Sequence, residues 1–209
     1  LADSLTQQMY AYFSDFLYSE RSWLEFLTAD VNFVDTNVAS LYGLPAPAAP
    51  GFTRQQITTD QRRGFMGLGG FLALSSMDRR TSPTLRGRWI MLNLLCTQPP
   101  PVPDDVPMIE KAAGETDLSK GNIPKILEKH RTDESCSRCH KVFDPYGLAL
   151  ENFDGIGRFR DAYGDGSAVN AATELLDGTP VTGLSQLSEE LSKTPEFKQE
   201  TQSGNKVWV

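Results

Sequence analysis

Apolar positions recur at spacings of three and four from the start of the chain. Leu5, Met9, Tyr12, Phe13, Phe16 and Leu17 make one stripe, which predicts a helix. A short second helix is expected over 22–27 and a third over 34–42, so the first 42 residues read as helical, with Gly43 placed as the C-cap. The run Pro45-Ala46-Pro47-Ala48-Ala49-Pro50-Gly51 disfavours helix and sheet alike and reads as an extended loop. A helix is expected again over 59–75, although Gly64, Gly67, Gly69 and Gly70 weaken it, since each Gly costs about 1 kcal/mol against Ala in a helix interior. Close approach of another helix, a simple loop or a flat cofactor would each account for them.

Thr81-Ser82-Pro83 has the form of a helix start, with Ser82 as N-cap and Pro83 at the first helical position. That helix is expected to bury Leu85, Trp89, Leu92 and Leu95. Pro99-Pro100-Pro101-Val102-Pro103 then imposes stiff polyproline II geometry. It marks the expected boundary between a helical front module over 1–98 and a back module over 122–209, joined by a Pro-rich linker over 99–121; an SH3-type ligand is the alternative reading of the run. In the back module a helix is expected over 123–130, a turn at Asp144-Pro145-Tyr146-Gly147, a small hairpin over 176–181, and a helical face formed by Leu184, Leu187 and Leu191. The pattern as a whole predicts a mainly α fold, with the helical front module as an addition to the helical back module.

Composition narrows the functional classes. A formal net charge of -7 argues against nucleic-acid binding and against docking on an anionic membrane surface. No apolar run reaches the roughly 20 residues that span a bilayer. The chain opens Leu1-Ala2-Asp3-Ser4, without Met and without a basic or apolar leader pattern, and is read as a processed product or a piece of a larger chain. With 3 cysteines, two of them in one motif, it is no disulfide scaffold; Cys96 is expected to be a small buried residue.

The motif is Cys136-Ser137-Arg138-Cys139-His140. Two thiols three residues apart lie on one side of a helical turn and can reach the two vinyl groups of one porphyrin. The histidine at i+4 from Cys136 sits on the same face and can ligate iron, so haem c is the expected cofactor and the back module is expected to be a cytochrome c-like haem-binding helical domain. A thioredoxin-like pair would follow a strand, whereas the preceding Ile126-Leu127-Glu128-Lys129-His130 is helical in pattern. A zinc site would need Cys136, Cys139 and His140 with His130 or Cys96 as the fourth ligand. In c-type cytochromes a loop carbonyl often accepts the N–H of the proximal histidine, and one between Phe143 and Tyr146 is expected to serve His140.

Several stretches carry a family resemblance. They are His130-Arg131, the cysteine motif, the run from Asp144-Pro145-Tyr146-Gly147 to Asn152-Phe153-Asp154, and Gly157-Arg158-Phe159-Arg160. Arg62-Arg63-Gly64, Phe71-Leu72-Ala73-Leu74, Arg86-Gly87-Arg88-Trp89, Phe26-Leu27-Thr28-Ala29-Asp30 and Tyr42-Gly43 agree in order. Together they resemble planctomycete-type bacterial multi-domain proteins of unknown function, several of which carry cytochrome c segments. The resemblance implies an exported protein with a haem and no known substrate. At the position of Met77 the resembling proteins often have His.

A low-spin carrier needs a sixth ligand, usually Met or His. Met77 is the first choice and His130 the second, which would place His140 and Met77 on the iron from back and front modules respectively. Arg86 and Arg158, with Arg88 and Arg160, are candidates to pair with haem propionates. The functional expectation is a periplasmic or extracellular c-type cytochrome passing electrons to a redox partner protein of unknown identity. The alternatives are a peroxidase- or oxidase-like haem enzyme with an open sixth position, and a module in which haem is structural. No convincing distal acid–base pair is present, which weakens the enzyme alternative.

Overall fold

A computed structural model describes residues 1–78, 80–98, 122–132 and 134–202. The linker expected over 99–121 falls outside them. Contacts divide the chain into two compact units, the first comprising Leu1–Leu74, Ile156–Phe159 and Leu184–Val209, the second Ser75–Gly155 and Arg160–Gly183.

The first unit is organised on helix α1 (Ala2–Tyr18): of the expected stripe Leu5, Tyr12 and Phe16 are buried, together with Gln8, while Met9 and Phe13 are half-buried and Leu17 is exposed. Tyr12 and Phe26 meet edge to face at 5.4 Å, and Phe26 stacks on Phe65 at 5.0 Å. The Tyr12 hydroxyl donates to the Phe26 carbonyl at 2.7 Å, which satisfies the polar end of a ring otherwise sunk in aromatic core. Strand β1 (Val31–Val34) follows a 3₁₀ turn (Trp23–Glu25) and pairs antiparallel with β2 (Thr53–Gln56), Val31 facing Gln56. Asp35 caps helix α2 (Thr36–Tyr42) by accepting from the Val38 N–H, and Gly43 ends it at φ 68°, as expected.

The helix expected over 59–75 is instead two 3₁₀ turns, Asp60–Arg62 and Phe65–Gly67, followed by helix α3 (Gly69–Leu74). Gly64 stands at φ 68°, where a Cβ would also overlap the Leu27 carbonyl, so a continuous helix cannot pass through it. A Cβ at Gly69 or Gly70 would crowd Leu5 or Met9 of α1. Close helix approach therefore accounts for this glycine pair. Toward the C-terminus, α7 (Gly183–Lys193) buries Leu184, Leu187 and Leu191 as predicted, and α8 (Pro195–Gln202) buries Phe197.

The second unit contains α4 (Pro83–Asn93), α5 (Ile123–Thr132), α6 (Glu134–Leu148) and the antiparallel pair β3 (Ala172–Glu174) and β4 (Pro180–Thr182). Ser82 caps α4 by accepting from the Leu85 N–H, with Pro83 at the helix start, as the sequence predicts. The expected hairpin is the β3–β4 pair, turned by Gly178 at φ 87°.

The central packing event in this unit is the crossing of α4 and α6. A Cβ at Gly87 would overlap the Phe143 carbonyl oxygen, and a Cβ at Gly147 would overlap the carbonyl of Pro83. Each helix therefore meets the other's backbone at a glycine. This contact sets the phase of α4. Its buried face is Pro83, Arg86, Gly87, Ile90 and Met91, while Leu85 is 38% exposed. Of the residues expected inside, Leu95 is buried, Trp89 and Leu92 are half-buried and Leu85 faces solvent, so the buried face of α4 is turned toward Arg86 and Gly87.

Pro145 lies inside α6 rather than in the expected turn. It lacks the N–H that would close on the Lys141 carbonyl, yet the helix continues beneath α4. The expectation of a mainly α fold on a cytochrome c-like helical domain is corrected. About half of the described chain is helical, with antiparallel strands in both units. Val31–Val34 is largely buried, its polar Asn32 included, and the loop over 45–51 returns the chain so that Thr53–Gln56 can pair with it.

Gly87→Ala is expected to lower stability by about 1–3 kcal/mol through overpacking. Leu85→Ala, on the solvent side, is expected to stay within about 0.5 kcal/mol. Urea unfolding of the two variants reads both.

Candidate functional site

Helix α6 carries the cysteine motif. Cys136, Cys139, His140 and Phe143 stand at i, i+3, i+4 and i+7, which places them on one helical face. The first three are half-buried, and no disulfide joins Cys96, Cys136 or Cys139. The His140 ring meets that of Phe143 edge to face at 5.5 Å.

The ring is oriented by a side chain one turn further on. His140 Nδ1 lies 2.9 Å from Asp144 Oδ2, and Asp144 is completely buried. The second carboxylate oxygen, Oδ1, accepts a hydrogen bond from Thr84 Oγ1 of α4 at 2.9 Å. A carboxylate partner is an acceptor, so Nδ1 carries a proton, and in the neutral ring the lone pair is then on Nε2. The expected loop carbonyl is therefore replaced by Asp144. In sequence Asp144-Pro145 reads as a turn, which conceals this contact; on a helix that continues through Pro145, Asp144 stands at i+4 from His140 on the same face.

Next to this site lies a buried ionic cluster that sequence reasoning also missed. Arg86 is 0% exposed. Its Nη1 donates to the carbonyls of Leu150 (2.8 Å) and Phe153 (3.0 Å), and its Nη2 to Asp154 O (2.9 Å) and Ser76 Oγ (3.0 Å). Glu151 is equally buried and 3.7 Å from Arg86, and its Oε2 accepts from Thr81 Oγ1, Arg160 Nη2 and the Tyr163 hydroxyl. Arg160 also lies over the Tyr163 ring at 4.6 Å. Burial pushes the Glu151 carboxyl up, while Arg86 and Arg160 pull it back. Burial also lowers the Arg86 guanidinium, to about 10, so it remains a cation at neutral pH. The chain just beyond α6 is thus held to α4 by a buried guanidinium that binds its carbonyls.

The remaining predicted residues are dispersed. Arg86, expected at a haem propionate, is engaged in this cluster instead. Arg158 is exposed and belongs to the first unit. Met77 is half-buried in a tight turn, its N–H donating to the Arg80 carbonyl at 3.0 Å. It belongs to the second unit together with His140, not to a separate front module. The His130 side chain lies outside the described residues. Cys96 is exposed at φ 49° rather than buried, because Leu94 and Leu95 take the interior positions where α4 ends.

Among the described residues no group of three or more His, Cys, Asp or Glu side chains is arranged to hold a metal ion, which leaves the zinc alternative without an assembled ligand set there. No described helix is long and apolar enough to cross a membrane.

Residues 62–163 match the family PSCyt3, a protein of unknown function (DUF1588). The match is consistent with the planctomycete-type resemblance, and it contains the cysteine motif, Asp144, Thr84 and the Arg86–Glu151 pair. No curated protein and no solved structure matches the chain.

Glu151→Gln leaves the buried Arg86 guanidinium without its counter-charge. A loss of about 3–5 kcal/mol is expected, read as a lowered midpoint in thermal or urea unfolding.

Proposed function

We propose that the chain is a c-type haem protein that transfers electrons through one covalently attached haem. The observation that carries this reading is the placement of Cys136, Cys139 and His140 on one half-buried face of α6, with His140 Nδ1 already engaged by Asp144. Cys136 and Cys139 would hold the porphyrin by thioethers, and His140 would present Nε2 to the iron. Haem, when bound, supplies a one-electron iron couple. The chain's own residues fix the imidazole's tautomer and rotation, and Phe143 packs beside the ring.

Met77 is proposed as the second residue that would hold the iron. What supports it is its half-buried position in the same unit as His140 and a short turn that restrains its backbone. Covalent haem attachment takes place outside the bacterial cytoplasm, so the reading carries a periplasmic or extracellular location and a redox partner protein.

The protein exported in a host with haem-attachment machinery is expected to show haem-dependent peroxidase staining after denaturing electrophoresis. The Cys136→Ser, Cys139→Ser double variant is expected to lose it. A wild-type protein without covalent haem overturns the proposal. Met77→Ala is expected to abolish the methionine–iron charge-transfer band and to lower the reduction potential; an unchanged spectrum removes Met77 from the iron.

A further inference from the structure

We infer that Asp144, itself held by Thr84, is the positioning residue that sets the electron-donating strength of His140 and so biases the iron toward its oxidised state. This rests on the haem reading above and adds to it. Three observations support the assignment. The partner of Nδ1 is an acidic side chain rather than a peptide carbonyl, at 2.9 Å. Asp144 is fully buried, so solvent does not screen its charge from the ring. Its other oxygen is pinned at 2.9 Å by Thr84 from a different helix, which fixes the carboxylate plane independently of the histidine.

A hydrogen bond from Nδ1–H to a carboxylate gives the imidazole more anionic character than a bond to a neutral carbonyl and makes Nε2 a stronger donor. A stronger axial donor favours ferric over ferrous iron, so the carboxylate lowers the reduction potential. Thr84 matters because a carboxylate free to rotate would trade this bond for others. The glycine crossing at Gly87 and Gly147 brings α4 close enough for a side chain as short as threonine to reach.

The test is spectroelectrochemical titration of the haem-loaded full chain as wild type, Asp144→Asn and Thr84→Val. Asp144→Asn is expected to raise the potential. Thr84→Val, which leaves every charge in place, is expected to raise it by a smaller amount, so a shift there reports orientation rather than charge alone. A haem-loaded Asp144→Asn protein with the wild-type potential overturns the inference while leaving the proposed function standing. If Asp144→Asn does not fold, an unchanged potential in Thr84→Val overturns it instead. Absence of haem from the wild type overturns both.

Discussion

The second unit depends on two peptide backbones touching where α4 crosses α6. Gly87 against the Phe143 carbonyl, and Gly147 against that of Pro83, remove the side-chain layer that normally separates packed helices. Everything around the cysteine motif follows from that proximity. Thr84 can reach Asp144, and Arg86 points into the segment after α6, where it finds three backbone carbonyls. The proline inside α6 is carried through the same contact region.

The buried ion cluster is the complement of this crossing. A guanidinium without solvent is costly unless its donors and its charge are both met. Here the carbonyls of residues 150, 153 and 154, with the Ser76 hydroxyl, meet the donors on Nη1 and Nη2, and Glu151 meets the charge. The chain emerging from the motif helix thereby has one place to go, and the imidazole at position 140 is built on a base that does not fray. Arg160 and Tyr163 close the other side of Glu151, tying a later loop of the unit to the same point.

How far the sequence spoke for itself differs by residue. The α1 helix, the Ser82–Pro83 start, the Gly43 cap and the Leu184–Leu191 face are local signals of spacing and backbone chemistry, and they appear as read. The cysteine motif is equally local. The strands Val31–Val34 and Thr53–Gln56 are short, and their pairing depends on a distant partner, so periodicity alone did not separate them from their helical neighbours. The buried face of α4 includes an arginine and a glycine, which hydrophobic periodicity does not mark. Asp144 was hidden by its neighbour Pro145, whose usual meaning as a helix breaker is overridden by tertiary packing.

The symmetry of the crossing limits how the two helices can vary in length. On α4 the threonine precedes its glycine by three residues, and on α6 the aspartate does the same, so each polar group lies one turn from the point where the backbones meet. Adding or deleting one residue between Thr84 and Gly87, or between Asp144 and Gly147, turns the polar group about 100° around its helix axis. The glycine would keep its seat while the hydroxyl or the carboxylate faced elsewhere. A length change that keeps these contacts has to fall outside the two stretches, which act as a fixed ruler between the paired positions.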